Sequence, residues 1–254
     1  MKISVITVSF NAASVLETCI RSVKEQSYDN FEHLLIDGGS NDNTQELICN
    51  YSSYFSMCIS EPDNGIYDAM NKGIKNARGD IIGFINADDF YVHNKVFESV
   101  ANCFKDNPDI EACYSDLKYV GKLDTSHTER FWKSNQFEPG LFSKGWCPPH
   151  PTLFVRRSVY ERFGVFDLSY HIAADVELMM RFLEVKRIRV KYIPDVWIKM
   201  RIGGITNKNY HNIWLQNKEV LRALTSYKLP SNPLIFFVSK LWIRSKQFLG
   251  RRSS

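Results

Sequence analysis

The sequence predicts an α/β protein in which helices flank a mostly parallel β-sheet. The first half of its 254 residues alternates short apolar segments with segments whose apolar residues recur at helical spacing. Such βαβ units give parallel strands with right-handed crossovers. The apolar run Ile81–Ile85 also ends abruptly in the polar segment Asn86-Ala87-Asp88-Asp89. Strands buried on both faces read as continuous apolar runs, and open α/β sheets bind ligands beyond the carboxyl ends of their strands.

The first two units each begin with a buried strand. Ile3–Ser9 is apolar enough for a central strand, and the pattern Ser14–Glu17 after it has the form of a capping box at a helix start. Glu32–Ile36 is the second predicted strand. Thr44–Tyr51 is a short predicted helix with one apolar side.

The next elements continue this alternation. Met57–Ser60 is a short predicted strand, and Ile66–Ala77 is a helix with apolar residues at helical spacing. The strand Ile81–Ile85 follows. A helix around Val96–Phe104 and a strand near Ala112–Leu117 complete the first half.

The second half is less regular. Lys118–Pro151 is aromatic and rich in loop-forming residues, and a long irregular segment in a compact domain is usually functional. After it, Thr152–Val155 is predicted as a strand, Arg157–Phe163 and Asp175–Glu184 as helices, and Lys191–Ile193 as a final strand. We expect one domain over residues 1–216 and a helical appendage over residues 217–254.

Composition limits the function classes. The net charge of +4 is modest and gives no indication of nucleic-acid binding. The six cysteines form no C-x-x-C pair and no signal peptide precedes them, which favours a reducing cytosol. No apolar run reaches the ~18–20 residues of a spanning helix, so we expect that this is not an integral membrane protein.

Four polar clusters fall where a doubly wound sheet binds its ligand. The first includes Ser9 and Asn11 at the end of strand one, and the second starts at Asp37 in Asp37-Gly38-Gly39-Ser40. Asp37 is a candidate acceptor for hydrogen bonds from a nucleobase or ribose, and the glycines let the backbone turn beside a ligand. A loop that simply caps the next helix is the alternative.

The third cluster lies on the predicted helix Ile66–Ala77. Asp68, Asn71 and Lys72 share a face at i, i+3 and i+4. This lysine is a candidate contact for a nucleotide's base or phosphate, and a surface Asp68–Lys72 pair is the alternative.

The fourth cluster is Asn86-Ala87-Asp88-Asp89. Oxygen ligands at a sheet edge suit a hard divalent cation that keeps several waters and also binds substrate phosphates. A turn after a core strand is the alternative. The cluster therefore predicts a cation near a phosphorylated substrate.

In order and spacing, the four clusters resemble the bacterial family-2 glycosyltransferases with the Rossmann-like GT-A fold. The resemblance covers about residues 1–205, most strongly residues 1–90. It implies that Asp37, Asp68 and Lys72 line the donor-nucleotide pocket, together with Ser9, Asn11, Asn86 and Ala87. It also implies that Asp88 coordinates Mn²⁺ or Mg²⁺ on the diphosphate. Asn86 departs from the family pattern, because it stands at the first carboxylate position of the D-x-D triplet.

The resemblance also points to a catalytic base. In the family this is an aspartate at a helix start after a G-x-F-D turn, and here Gly164–Asp167 precedes Asp175. Asp175 is the candidate base, with Glu177 as the fallback. Helix capping is the alternative role of Asp175.

Three further features match the family more loosely. His150 resembles an acceptor-side residue, and Arg181 matches an arginine on the same helix as Asp175. The segment Arg201-Ile202-Gly203-Gly204-Ile205-Thr206 resembles one that folds over the donor diphosphate.

The segment Pro233–Arg252 combines ten large apolar residues with five cations. A basic amphipathic helix with Trp and Phe is typical of an interfacial membrane anchor. A helix docked on the domain or on a partner subunit is the alternative.

The resemblance therefore implies an inverting glycosyltransferase that uses a nucleotide-diphospho-sugar, a UDP-hexose above all. The expected acceptor is a lipid-linked saccharide of the undecaprenyl-diphosphate type, used in O-antigen, capsule or exopolysaccharide synthesis at the cytoplasmic face of the plasma membrane. The alternative is a non-catalytic sugar-nucleotide-binding subunit of a polysaccharide assembly complex.

Overall fold

The computed structural model of the chain describes residues 1–203 and 210–249. Nine strands lie in the described part: β1 Ile3–Ser9, β2 Phe31–Asp37, β3 Met57–Ser60, β4 Ile81–Asn86, β5 Asp89–Tyr91, β6 Ala112–Val120, β7 Thr128–Trp132, β8 Phe154–Arg156 and β9 Val190–Arg201. They form one sheet of order β3-β2-β1-β4-β8-β6-β9-β5, with β7 paired to β6.

The helices of the described part are α1 Leu16–Lys24, α2 Thr44–Asn50, α3 Ile66–Asn76, α4 Val96–Asp106, α5 Arg157–Phe163, α6 Ala174–Met180, α7 Tyr210–Ser226 and α8 Pro233–Leu249. A π-helical turn, Arg181–Val185, continues α6. Val15 is the N-cap residue of α1, and no side chain caps this helix start. The predicted capping box at Ser14–Glu17 is therefore wrong.

The predicted mostly parallel sheet is confirmed. Strands β3, β2, β1 and β4 are parallel neighbours. Strand β8 runs antiparallel to both β4 and β6, and β9 is parallel to β6. Six of the nine described strands therefore run in the same direction, and β5, β7 and β8 run against them.

The central strands are buried on both faces, which explains their continuous apolar sequences. Ile6 and Phe84 belong to a core cluster that includes residues of α3, α6 and α7. Val5 and Ile85 point to the other face and pack with residues of α1 and α4. The helices on both faces leave the carboxyl ends of β1, β2 and β4 side by side, with Ser9 opposite Asp37 and Val8 opposite Asn86.

The second half is more ordered than its sequence predicted. Strand β6 continues to Val120 and pairs with β7, so Lys118–Pro151 begins with a hairpin. Strand β9 extends far beyond the predicted Lys191–Ile193, because the shift in its register with β6 accommodates Pro194, which cannot donate to a ladder.

The C-terminal helices pack on the rest of the chain. Val220, Ala223 and Leu224 of α7 and Phe236 of α8 are buried in the same core cluster as α3 and α6. The expected domain boundary at residue 217 falls inside α7. Among the described residues, none of the helices combines the length and the apolar character needed to cross a bilayer.

Candidate functional site

The first two polar clusters form one hydrogen-bonded unit around Asp37. The Asp37 carboxylate is fully buried. Its Oδ1 accepts hydrogen bonds from the hydroxyls of Ser9 at 3.0 Å and Ser40 at 2.5 Å, and its Oδ2 accepts from Ser60 Oγ at 2.8 Å and Ser40 N at 2.9 Å. Asp37 thus holds the ends of β1, β2 and β3 together. A nucleotide contact by Asp37 stays a prediction.

Asn11 extends this unit toward the following loop. Its backbone is left-handed, with φ of 49°. The Asn11 amide N–H donates to Ser40 Oγ at 2.8 Å, and Asn11 Oδ1 accepts from the Asn41 N–H at 3.0 Å.

Glycine is favoured at position 39 of the second cluster, because its φ is positive and the Pro62 backbone N would lie 3.1 Å from a Cβ there. A Cβ at Gly38 would lie 2.5 Å from Asp63 Oδ2, and Gly39 has φ of +78°. The loop after β2 therefore lies directly against the segment that precedes α3.

The third cluster lies at the start of α3. Lys72 Nζ is 2.9 Å from Glu61 Oε1 and donates to the Pro62 carbonyl at 3.0 Å, and it lies 3.9 Å from Asp68 Oδ2. Asp68 Oδ2 also accepts from the Asn64 N–H at 3.0 Å. Asp68 and Lys72 are close to each other as predicted, but their nearest partners belong to the loop that leads into α3.

At the end of β4, the two neighbouring carboxyl groups differ in environment. Asp89 is fully buried, and burial followed by the negative charge of Asp88 raises its pKa well above the ordinary range. Burial also raises the pKa of Asp88, while the Arg201 charge acts in the opposite direction. Arg201 Nη1 donates to the Asp88 carbonyl at 2.7 Å. Burial therefore favours a proton on Asp89 more strongly than on Asp88.

The residues at this edge fit a divalent cation. Asn86 Oδ1 and Asp89 Oδ1 are buried without a hydrogen-bond partner, and oxygen is the ligand type that Mg²⁺ and Mn²⁺ prefer. Within residues 1–203 and 210–249, no group of three or more His, Cys, Asp or Glu gathers as a metal site. The chain would therefore supply few ligands, and substrate phosphates and water would supply the rest.

Asp175 lies in the first turn of α6 and is contacted by a side chain of α3. The Tyr67 hydroxyl lies 3.0 Å from Asp175 Oδ1 and 2.9 Å from the Ile172 carbonyl. Burial first, and then the charge of Asp175, raise the pKa of Tyr67 well above its usual value, so the hydroxyl keeps its proton and donates. Tyr67 precedes Asp68, so the candidate base and the third cluster are joined by neighbouring residues.

Helix α3 also fixes the turn before α6. Asn71 Nδ2 donates to the Phe166 carbonyl at 2.9 Å, and the Phe166 N–H donates to Asn71 Oδ1 at 3.0 Å. His150 is buried between Phe84 and Phe166, with both ring centroids 5.6 Å away. Burial lowers the pKa of His150, although the Asp175 charge opposes this, so the ring is neutral at pH 7.

Glu177 of α6 and Arg181, the first residue of the π-helical turn after it, form a largely buried ion pair. Arg181 Nε lies 3.0 Å from Glu177 Oε1, and the Tyr227 hydroxyl binds the same oxygen. Arg181 also donates to the carbonyls of Phe163 and Val165. The structure therefore places Glu177 and Arg181 in contacts that join α5, α6 and α7. Asp175, in contrast, lies toward α3.

Sequence reasoning missed Tyr67 and Glu219, and it grouped Asn71 with Asp68 and Lys72 without predicting its contact with Phe166. Tyr67 and Asn71 are four residues apart and share the face of α3 that contacts residues 166–175, so their spacing was a usable signal. Glu219 of α7 accepts hydrogen bonds at 2.9 Å from the backbone N–H groups of His171, Ile172 and Ala173. No local pattern pairs residue 219 with residues 171–173.

The glycine segment is only partly visible. Strand β9 ends at Arg201, Ile202 follows it, and Gly203 has φ of +112°. Residues 204–206 of the predicted segment lie outside the described residues.

Comparison with known proteins identifies the family of this chain. The profile of Glycosyl transferase family 2 matches residues 4–164. An uncharacterized glycosyltransferase of Mycobacterium tuberculosis H37Rv is 34% identical over 181 residues, covering 70% of this chain and 68% of the relative. A PGL/p-HBAD biosynthesis glycosyltransferase of Mycobacterium bovis BCG is 27% identical over 247 residues, covering 94% and 90%.

Solved structures agree with the fold. Residues 1–349 of Staphylococcus aureus TarS in complex with UDP-GlcNAc align with a TM-score of 0.68 at 17% identity, covering 99% of this chain and 72% of that one. The chain spans only 44% of a longer TarS structure. The mannosyltransferase PcManGT of Pyrobaculum calidifontis, solved with GDP-Man and Mn²⁺, aligns with a TM-score of 0.66 at 16% identity, covering 98% and 72%. The chain has the GT-A fold and belongs to glycosyltransferase family 2.

Proposed function

We propose that this protein is an inverting glycosyltransferase that moves a hexosyl unit from a nucleotide-diphospho-sugar, a UDP-sugar, to a lipid-linked saccharide. The acceptor is of the undecaprenyl-diphosphate type, and the product serves O-antigen, capsule or exopolysaccharide synthesis. Support for a nucleotide-sugar donor comes from the family and from UDP-GlcNAc in the TarS structure.

The observation that carries the proposal is the 3.0 Å contact between the Tyr67 hydroxyl and Asp175. It joins the candidate base directly to the helix that carries Asp68 and Lys72. An acceptor hydroxyl at Asp175 therefore lies beside the donor pocket formed by α3 and the ends of β1, β2 and β4.

In this mechanism Asp175 accepts the proton of the acceptor hydroxyl as that oxygen attacks the anomeric carbon of the donor. Tyr67 donates to Asp175 Oδ1 and leaves the other carboxylate oxygen for the acceptor. Attack opposite the leaving diphosphate inverts the anomeric configuration. A divalent cation, when bound at Asp88, would offset the charge that develops on the leaving diphosphate.

Membrane association belongs to the same proposal. Leu234, Ile235, Val238, Leu241 and Trp242 of α8 are all more than half exposed. An apolar helix face beside lysine and arginine residues favours binding at a bilayer surface, where a lipid-linked acceptor resides. We place the protein at the cytoplasmic face of the plasma membrane.

The test is the release of nucleoside diphosphate from a panel of sugar donors, with Mn²⁺, with Mg²⁺ and with EDTA. Asp175→Asn keeps the Tyr67 contact but cannot accept a proton, so we expect turnover to fall about 10²–10⁴-fold with donor affinity retained. Asp88→Asn should instead weaken the dependence of the rate on added cation.

Normal turnover by folded Asp175→Asn would contradict the assignment of the base. A wild-type chain that binds UDP but neither transfers nor hydrolyses any donor would instead indicate the non-catalytic subunit.

A further inference from the structure

The inner face of helix α8 contacts the segment that leads to the candidate active site. Phe236 is fully buried, and Lys240 lies one turn further on the same side. A Cβ at Gly145 would lie 2.8 Å from Lys240 Cβ and 3.3 Å from the Phe236 carbonyl oxygen. Helix α8 therefore touches the backbone just before Cys147 and His150.

Lys240 and Arg244 lie one turn apart on the same side of α8, and the half-buried Cys147 follows Gly145 by two residues. Burial raises the pKa of Cys147 to about 12, and the Asp175 charge acts in the same direction, while Lys240 and Arg244 act against them. Lys240 and Arg244 therefore share the side of α8 that contacts Gly145, ahead of the predicted acceptor-side residue His150.

These two cations lack a carboxylate partner. Lys240 Nζ donates to Asn217 Oδ1 at 2.6 Å, and in the described part of the chain neither Lys240 nor Arg244 has an ion pair within 4.0 Å. Burial, and then the charge of Arg244, lower the pKa of Lys240 to about 8. A desolvated cation such as Lys240 is costly without a counter-ion, and a bound anion would offset that cost.

We propose that Lys240 and Arg244 bind the diphosphate of the acceptor lipid, so that helix α8 forms the acceptor side of the active site. Two cations one turn apart on this side of α8 form a positive region that complements a diphosphate. The outward face of the same helix is apolar, which suits the prenyl chain attached to that diphosphate. This inference rests on the proposed function and adds the residues that select a charged, lipid-linked acceptor.

The test is equilibrium binding of farnesyl diphosphate to the full chain in saturating UDP, which keeps the probe out of the donor site. Farnesol and inorganic pyrophosphate separate the contributions of the prenyl chain and of the diphosphate. Lys240→Met keeps the length of the buried side chain without its charge, and Arg244→Gln removes the second charge. The matched control is Lys246→Gln, on the exposed side of α8.

We expect Lys240→Met and Arg244→Gln each to weaken farnesyl diphosphate binding at least tenfold. Binding of UDP should stay unchanged and the thermal unfolding midpoint should not fall, and all properties of Lys246→Gln should match those of the wild type. Pyrophosphate should follow farnesyl diphosphate with lower affinity, and farnesol should show no dependence on either charge.

Three results would overturn the inference. The first is that a wild-type chain that binds UDP does not bind farnesyl diphosphate, and the second is that the folded variants bind farnesyl diphosphate as tightly as the wild type does. The third is that the variants lose only their binding to phosphatidylglycerol vesicles, which would assign the cations to bilayer headgroups. A wild-type chain that fails to bind UDP or any nucleotide-sugar would instead contradict the proposed function itself.

Discussion

At the scale of single residues, Tyr67 is the side chain most directly tied to the candidate base. Its ring stacks on Phe166 with centroids 5.5 Å apart, while its hydroxyl contacts Asp175. Tyr67→Phe keeps the stacking and removes one hydrogen bond to a charged group, worth about 1.5–3 kcal/mol. We expect turnover to fall about tenfold or more with the KM for the donor little changed.

Steady-state kinetics with saturating acceptor measures this effect. Tyr28→Phe is the control, since it removes a hydroxyl that donates to the Met1 carbonyl away from the site. A purely structural role of Tyr67 would lower the unfolding temperature without changing turnover of the folded enzyme.

Asp89 gives a residue-scale prediction about pH. Its pKa in the folded protein is raised, first by burial and then by Asp88, so the folded state holds the proton more tightly than the unfolded chain does. The resulting stabilisation is complete below the unfolded pKa of about 3.9 and is lost as pH rises through the folded pKa. Asp89→Asn has no proton to lose. The unfolding temperature of this variant, relative to that of the wild type, should therefore increase as pH rises from 5 to 8.

Thermal unfolding in EDTA across this pH range measures the difference without bound cation. If the difference in unfolding temperature between Asp89→Asn and the wild type is the same at pH 5 and pH 8, Asp89 does not have a raised pKa.

At the scale of elements, α7 positions the start of α6. Glu219 is buried and accepts hydrogen bonds from the three backbone N–H groups of residues 171–173, which end two residues before Asp175. Glu219→Gln keeps one acceptor oxygen and turns an amide N–H₂ toward a backbone donor. We expect a loss of about 1–3 kcal/mol in the free energy of unfolding and a lower turnover number.

Urea unfolding and donor-turnover assays on the same samples measure the two effects. Glu161→Gln is the control, because its contact with Arg157 lies on the exposed surface of α5 and such pairs contribute little. Full activity of Glu219→Gln at temperatures where it is folded would contradict the positioning role.

The same elements show what the sequence could and could not predict. Strands β1, β2 and β4 were predicted within a residue or so at each end, because burial on both faces makes most of their residues apolar. Strand β5, Asp89–Tyr91, was missed, because it is three residues long and pairs with β9 more than a hundred residues later. In the site, Asp175 was named by motif, whereas Glu219 needed the packing of α7, which has no local pattern.

At the scale of the whole molecule, the described chain concentrates exposed apolar side chains on one helix. Leu234, Leu241 and Trp242 of α8 are 63–73% exposed, while Phe236 on the opposite side is fully buried. Both alternatives raised for this segment therefore have a physical basis, since the inner face is docked and the outer face is available to a bilayer. Deleting the whole segment would expose the site of Phe236 and confuse these roles.

Substitution of the outer face alone separates them. We expect Leu234→Ser, Leu241→Ser and Trp242→Ser together to reduce sedimentation with phosphatidylglycerol-containing vesicles at least tenfold, because burial of a large apolar side chain contributes about 1.5–3 kcal/mol. The unfolding temperature and donor hydrolysis should remain unchanged, since Phe236 still anchors the helix. Leu123→Ser is the matched control, because this side chain is 96% exposed but lies outside α8. Undiminished sedimentation of the triple variant would show that the outer face of α8 does not bind membranes.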